Sequence, residues 1–372
     1  MASASPERAE SLGEPRERRT GTSLVPPDLV YIGSYTANAG TAHAITGWRQ
    51  DPESGRLEPA LSPVAAVDPS WIAWHPEGTH LYAASESAAQ VLSYAVADGG
   101  ELTLLGTQPS GGADPCHLGV EPQGRFVVAA NYSGGSVGVL AIGPDGALRP
   151  PHDLVEHAGN GPDPERQGSA HAHMALFAPD GLLYVADLGT DDVRSYAVEP
   201  SGRLRHVATS PMPEGTGPRH LAVHPSGTVY VTGELDSTVV ACAPEADGRL
   251  RPVAAVPATA GEPGERNYPS HLECSPDGRF LYVANRGADC LTVFALDGAV
   301  PRPLADVPAG GRWPRHFALI GDFLYVANQE GDSVTVFRRD PDTGLPHPTG
   351  HATRVPSPSC VLGAPSRRGR QS

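Results

Sequence analysis

The chain has 372 residues, enough for two average domains or for one large propeller or barrel. Its formal net charge of −15 repels phosphate backbones and anionic lipid, so neither nucleic acid nor membrane is an expected partner. All 27 basic residues are Arg, which excludes a Schiff-base lysine and a P-loop lysine.

The 43 Gly and 39 Pro call for many tight turns, and an aromatic content of 6% leaves the core to Val, Leu, Ala and Ile. Residues 1–28 are polar, with Arg18-Arg19 but no apolar run behind them, and read as a disordered tail instead of a secretory signal. No apolar run reaches the roughly 18 residues of a membrane span.

From Tyr31 onward one pattern recurs. A Gly-x-Leu-like turn appears at Gly55, Gly100, Gly146, Gly202, Gly248, Gly298 and Gly344, roughly every 48 residues. Before each turn lies a Pro-x-His-like start, as in Pro218-Arg219-His220, then a short apolar strand closed by a turn such as Pro276-Asp277-Gly278. A Leu-Tyr-Val-Ala-Asn strand follows, clearest at Leu281 to Asn285 and Leu324 to Asn328, and then an alternating strand such as Leu291 to Phe294. Period-2 alternation bounded by Gly, Pro and Asp marks strands, and nothing between them has a helical period. Four antiparallel strands per repeat form one propeller blade.

The first copy lacks its first strand, which appears instead at Pro358 to Leu362. Pairing the two ends would close the ring and remove its open edge. The expected fold is all-β: a seven-bladed β-propeller over 29–365, closed by its N- and C-terminal segments, with a loose tail at 366–372. The five cysteines (Cys116, Cys242, Cys274, Cys290 and Cys360) are odd in number and contain no CxxC pair. That pattern fits a reducing cytoplasm and neither a disulfide framework nor a zinc site.

Slots that vary between blades point to function. The residue after the Val-Ala-Asn strand is Tyr35, Glu86, Tyr132, Leu188, Glu234, Arg286 and Gln329 in turn. The residue two before the first strand is Ser70, Cys116, His173, Arg219, Ser270, Arg315 and Ser359. Both slots converge on one mouth of the channel, which places His173, Arg219, Glu234 and Arg286 on adjoining blades. Arg side chains can grip a carboxylate or phosphate bidentately, while His and Glu supply acid–base groups. His171, His220, Arg315 and Tyr132 are candidate substrate contacts around them.

Structural roles compete with these assignments. The His slot (His117, His220, His271 and His316) recurs in four blades, as architectural residues do, and Asn131, Asn285, Asn328 and Asp187 suit turns. Glu234 and Arg286 could form an inter-blade salt bridge. His171-Ala172-His173 could suggest a metal, but no third ligand has an evident spacing, so neither metal nor cofactor is expected.

The segments His171-Ala172-His173, Gly217-Pro218-Arg219-His220, Gly233-Glu234-Leu235 and Pro276 through Arg286 together resemble the lactonase-type seven-bladed propellers. That family includes the propeller form of 6-phosphogluconolactonase and the fungal carboxy-cis,cis-muconate cyclase. The resemblance runs from Tyr31 to Leu362 and implies metal-free chemistry on a small anionic lactone, most simply 6-phosphogluconolactone in the pentose phosphate pathway. It also implies His173, Arg219, Glu234 and Arg286 as the catalytic set. No covalent nucleophile is expected, because no Gly-x-Ser-x-Gly elbow is read and no cysteine lies in that set. The Gly- and Pro-rich insertion from Gly159 to Ala170 is expected to form a flap over the site. A monomer or weak homo-oligomer is expected. A cyclase acting on another lactone, a calcium-dependent lactonase and a non-catalytic binding propeller remain alternatives, since propellers host many functions.

Overall fold

The computed structural model describes residues 25–36, 44–264, 266–298 and 300–365. Twenty-eight strands form seven four-stranded antiparallel sheets, and no helix occurs among the described residues. The innermost strands are Pro358–Gly363, Pro69–Trp74, Pro115–Val120, Ala172–Phe177, Pro218–Val223, Tyr268–Cys274 and Pro314–Ile320. Each touches its neighbours around the central channel. Five of them open on Pro, which is tolerated at the first position of a strand, where no ladder donor is lost.

Ring closure takes the expected form. Pro358–Gly363 pairs antiparallel with Leu29–Ser34, setting Tyr31 opposite Leu362 and Gly33 opposite Cys360. The first blade therefore joins both ends of the chain. Val25 is buried in the same cluster as Leu29 and Tyr31, so packing begins four residues earlier than the Leu29 boundary read from the sequence. The remainder of the two expected tails, 1–24 and 366–372, lies outside the described residues.

Two of the repeat signals turn out to be the two halves of one contact. The strand tyrosine of one blade donates its hydroxyl to the turn glycine carbonyl of the next: Tyr31 to Gly100, Tyr82 to Gly146, Tyr282 to Gly344 and Tyr325 to Gly55, at 2.6–3.1 Å. These bonds are buried and worth about 1 kcal/mol each. Gly100 has φ +98°, and a Cβ there would lie 2.2 Å from the Leu29 side chain. Only glycine fits that turn. Between the blades, alternate residues of the middle strands bury in seven clusters of Val, Leu, Ala and Tyr.

The innermost strands leave N–H groups facing the channel. Neighbouring side chains take them up: Ala175 N donates to His117 Nδ1 and Val361 N to His316 Nδ1, each across a blade boundary. Trp71 fills the equivalent slot of the second blade. Its indole lies 4.1 Å from the His117 ring, 5.0 Å from His316, 5.6 Å from His220 and 6.2 Å from His271. One indole and four imidazoles thus occupy the middle of the channel and form a floor.

Candidate active site

The slot read as lying two residues before the first strand is in fact inside that strand, its second residue in six blades and its third at Ser270, because Pro69 and its counterparts already pair with the next strand (Pro69 with Ser85). Ser70, Cys116, His173, Arg219, Arg315 and Ser359 therefore line a small cavity directly above Trp71, His220 and His316.

The site is built around Glu234, which follows the strand Val229–Gly233 and is 2% exposed. Its Oε2 accepts from Arg219 Nη1 at 2.6 Å and from Arg286 Nη2 at 2.8 Å, and its Oε1 accepts from Arg166 Nη2 at 2.7 Å. The same Arg219 nitrogen donates to His173 Nε2 at 2.6 Å, which puts the imidazole proton on Nδ1, 3.8 Å from Cys116 Sγ. Arg286 is anchored by its Nε donating to Tyr268 O at 3.1 Å, and its guanidinium lies 5.5 Å from the Trp313 ring. The four residues expected to be catalytic thus meet in one hydrogen-bonded cluster. The Glu234–Arg286 inter-blade salt bridge is part of that cluster, not a substitute for it.

Electrostatics fixes the protonation states at neutral pH. Burial alone would raise the Glu234 carboxyl, but Arg286, Arg219 and the other cations hold it well below the usual carboxylate range. Burial, reinforced by Arg219, holds the His173 imidazole well below its ordinary value. Glu234 is ionised and His173 neutral, so both stand in proton-accepting form. Burial and Arg219 together pull Arg286 down to about 9, still cationic at neutral pH.

The other sequence candidates fall on two levels. At the mouth, His171 Nδ1 lies 3.0 Å from Tyr132 O, and the His171 ring stacks on Tyr132 at 4.5 Å while His173 meets it edge-on at 5.5 Å. Both imidazoles of the His-Ala-His motif are thereby committed to Tyr132 and Arg219. Among the described residues no group of three or more His, Cys, Asp or Glu is arranged to hold a metal ion. Arg315 lies 5.1 Å from the Tyr35 ring, and Tyr35 donates its hydroxyl to Glu86 Oε2 at 2.7 Å. The Arg315 guanidinium makes no hydrogen bond or ion pair among the described residues. His220 lies lower, in the floor: its Nδ1 is 2.9 Å from His271 Nδ1, and it also lines the small cavity, 5.4 Å from the His173 ring.

Several features escaped the sequence reading. Arg166 comes from the insertion between the third and fourth blades, and it also donates to Tyr132 Oη at 3.2 Å. Tyr35, Glu86 and Trp71 complete the wall and floor, although Tyr35 and Glu86 already stood in the variable slot. Gly134-Gly135-Ser136-Val137-Gly138 has the G-x-S-x-G spacing of a nucleophile elbow, which corrects the reading that no such spacing occurs in the chain. Ser136 is 2% exposed at the start of the strand Ser136–Ile142 and accepts from Asn131 Nδ2, with no helix following, so the spacing is coincidental. Asp187 fills the Asn slot but plays a different part, accepting from the His171 and Gly189 backbone N–H groups and pairing with His157 at 2.6 Å.

The formal charges at the mouth are four Arg (166, 219, 286 and 315) against Glu234 and Glu86, an excess of +2 on a chain that is otherwise strongly acidic. Such a pocket concentrates anions. Residues 29–363 match the family described as "Lactonase, 7-bladed beta-propeller". A 6-phosphogluconolactonase of Bacillus subtilis is 35% identical over 89% of this chain and 97% of its own length. One of Formosa agariphila is 29% identical over 85% and 93%. The solved structure of the Pseudomonas aeruginosa periplasmic gluconolactonase PpgL superposes with a TM-score of 0.84 at 32% identity, covering 91% of this chain and 99% of that one. The chain belongs to the seven-bladed β-propeller lactonase family.

Proposed function

We propose that this lactonase hydrolyses 6-phosphogluconolactone to 6-phosphogluconate at the Glu234 mouth, without metal or covalent intermediate. The observation that carries the reading is one buried, ionised carboxylate held between Arg219 and Arg286 in a mouth with excess positive charge. The relatives carry the names of both a phosphorylated and an unphosphorylated sugar lactonase.

In this mechanism Arg219 and Arg286 face the lactone carbonyl oxygen and stabilise the charge that develops on it. Water attacks the carbonyl carbon while Glu234 takes its proton. As the Arg pair turns toward the oxyanion it releases Glu234 Oε2, and the carboxylate becomes a stronger base at the moment it is needed. The bond from carbonyl carbon to ring oxygen then breaks, and Glu234 passes the same proton to that oxygen. No separate acid is required, which suits a site whose His173 and Glu234 are both unprotonated. Neutral His173 fixes the orientation of Arg219 through Nε2. Arg315, Tyr132 and His171 line the walls that receive the substrate's polar groups. The described cysteines are all free, which supports a reducing cytoplasm as the working compartment.

Loss of freshly prepared 6-phosphogluconolactone, measured against buffer alone with a chelator present, tests the reading. Protein-dependent loss unaffected by chelator is expected. A folded protein that adds nothing to the buffer rate, but acts on a muconolactone, would transfer the site to the cyclase reading.

A further inference from the structure

The insertion between the third and fourth blades is held firmly in place. Gln167, with no exposed surface, donates from Nε2 to Leu188 O at 2.9 Å and to Asp191 Oδ1 at 2.8 Å, and its Oε1 accepts from Asp163 N at 3.1 Å. Asp191 in turn accepts from the Gly215 and Gly217 backbone at 2.6 and 2.7 Å. Asp163 Oδ1 caps the turn that carries Arg166 by accepting from the Glu165 and Arg166 N–H groups. The expected flap is therefore a strap stapled to the fourth and fifth blades, and it sets one side chain, Arg166, at the rim.

The three guanidinium groups on Glu234 are not equivalent. The Arg219 and Arg286 side chains are 5% and 6% exposed, whereas Arg166 is 34% exposed. Arg166 reaches both Glu234 and Tyr132 through Nη2 alone, so the N–H groups on Nε and Nη1 have no protein acceptor among the described residues. Three N–H bonds without a protein acceptor, on a planar cation preset at a solvent-facing rim, suit a dianionic phosphate better than a neutral hydroxyl. Arg315 is a weaker candidate because it lies against Tyr35, inside the cavity wall.

We propose that Arg166 is the specificity residue that distinguishes a phosphorylated sugar lactone from its unphosphorylated counterpart, by binding the phosphate at the rim. The inference rests on the lactonase reading above and deepens it. With the lactone carbonyl at Arg219 and Arg286, the terminal phosphate is the part of the substrate farthest from the reacting carbon and projects toward the rim. As Arg166 turns to the phosphate it also leaves Glu234 Oε1, so recognition of the phosphate uncovers the base.

The test compares kcat/KM for 6-phosphogluconolactone and for gluconolactone in the wild type, Arg166→Gln and Arg315→Gln. The wild type is expected to prefer the phosphorylated lactone. Arg166→Gln is expected to lower the ratio of the two values by about 10- to 100-fold, mostly through KM for the phosphorylated substrate, the usual range for a lost charged hydrogen bond. Arg315→Gln is expected to leave the ratio within about threefold, since a wall contact serves both substrates. An unchanged ratio in Arg166→Gln, with both activities falling together, would make Arg166 a mere clamp on Glu234 and overturn the proposal. Collapse of the ratio in Arg315→Gln instead would overturn it too. A wild type that hydrolyses both lactones equally refutes the selectivity and leaves the lactonase reading standing. One that hydrolyses neither refutes that reading itself.

Discussion

Glu234→Gln is expected to lower kcat/KM for 6-phosphogluconolactone by about 10³-fold and to destabilise the fold by roughly 3–5 kcal/mol. The two effects have separate origins. The kinetic loss is expected because the substitution removes the carboxylate between Arg219 and Arg286, which takes and returns the proton in the proposed mechanism. The loss of stability arises because Arg219 and Arg286, both nearly buried, keep their charge but lose the counter-ion that compensates their desolvation. Steady-state kinetics and denaturant unfolding on the same preparation separate the two. A variant that is destabilised but fully active would make Glu234 a structural ion-pair partner and nothing more.

Acid lability is the second large effect. Burial, with smaller contributions from neighbouring cations and imidazoles, lowers His117 and His271 to about 3 and holds His173, His220 and His316 well below the ordinary value of 6.5. A lowered histidine is neutral in the folded state while its unfolded counterpart begins to take a proton below pH 6.5. The unfolded state therefore binds more protons, and stability falls as pH drops through that window. Each such histidine costs about 1.4 kcal/mol per pH unit. Glu273 opposes them: burial raises its carboxyl to about 7, so it favours the folded state as pH falls from 7 toward 4.5. Burial also raises Asp192 and Asp236, which act in the same sense as Glu273, but these carboxyls do not offset five imidazoles. Thermal unfolding is expected to show Tm roughly level between pH 7 and 8 and falling steeply between 6.5 and 5. A Tm unchanged down to pH 5 would show that the histidine floor is hydrated and titrates normally.

The repeat was legible because each blade solves the same packing problem with the same residues. In four blades the strand tyrosine bonds to the Gly turn of the next blade, and the displaced last strand signalled closure. The catalytic candidates were legible for the opposite reason: His173, Arg219, Glu234 and Arg286 are the slots where blades differ. Comparison of slots reaches no further than the repeat. Arg166 lies in an insertion with no counterpart in the other blades, and its reach to Glu234 depends on the Gln167 staple, a contact across sequence that no local pattern announces. Trp71 was hidden because it replaces a histidine, and only the closed ring brings its indole against four imidazoles. Alternation along the strand turns His220 and its neighbour Arg219 in different directions, which is why His220 borders the cavity from the floor while Arg219 reaches Glu234.

The most direct test of the central claim is a crystal structure of the wild-type protein with the product 6-phosphogluconate bound. Its carboxylate is expected at Arg219 and Arg286, beside Glu234 and above the Trp71 floor. Product bound on any other face, with the Glu234 mouth unoccupied, would contradict the claim.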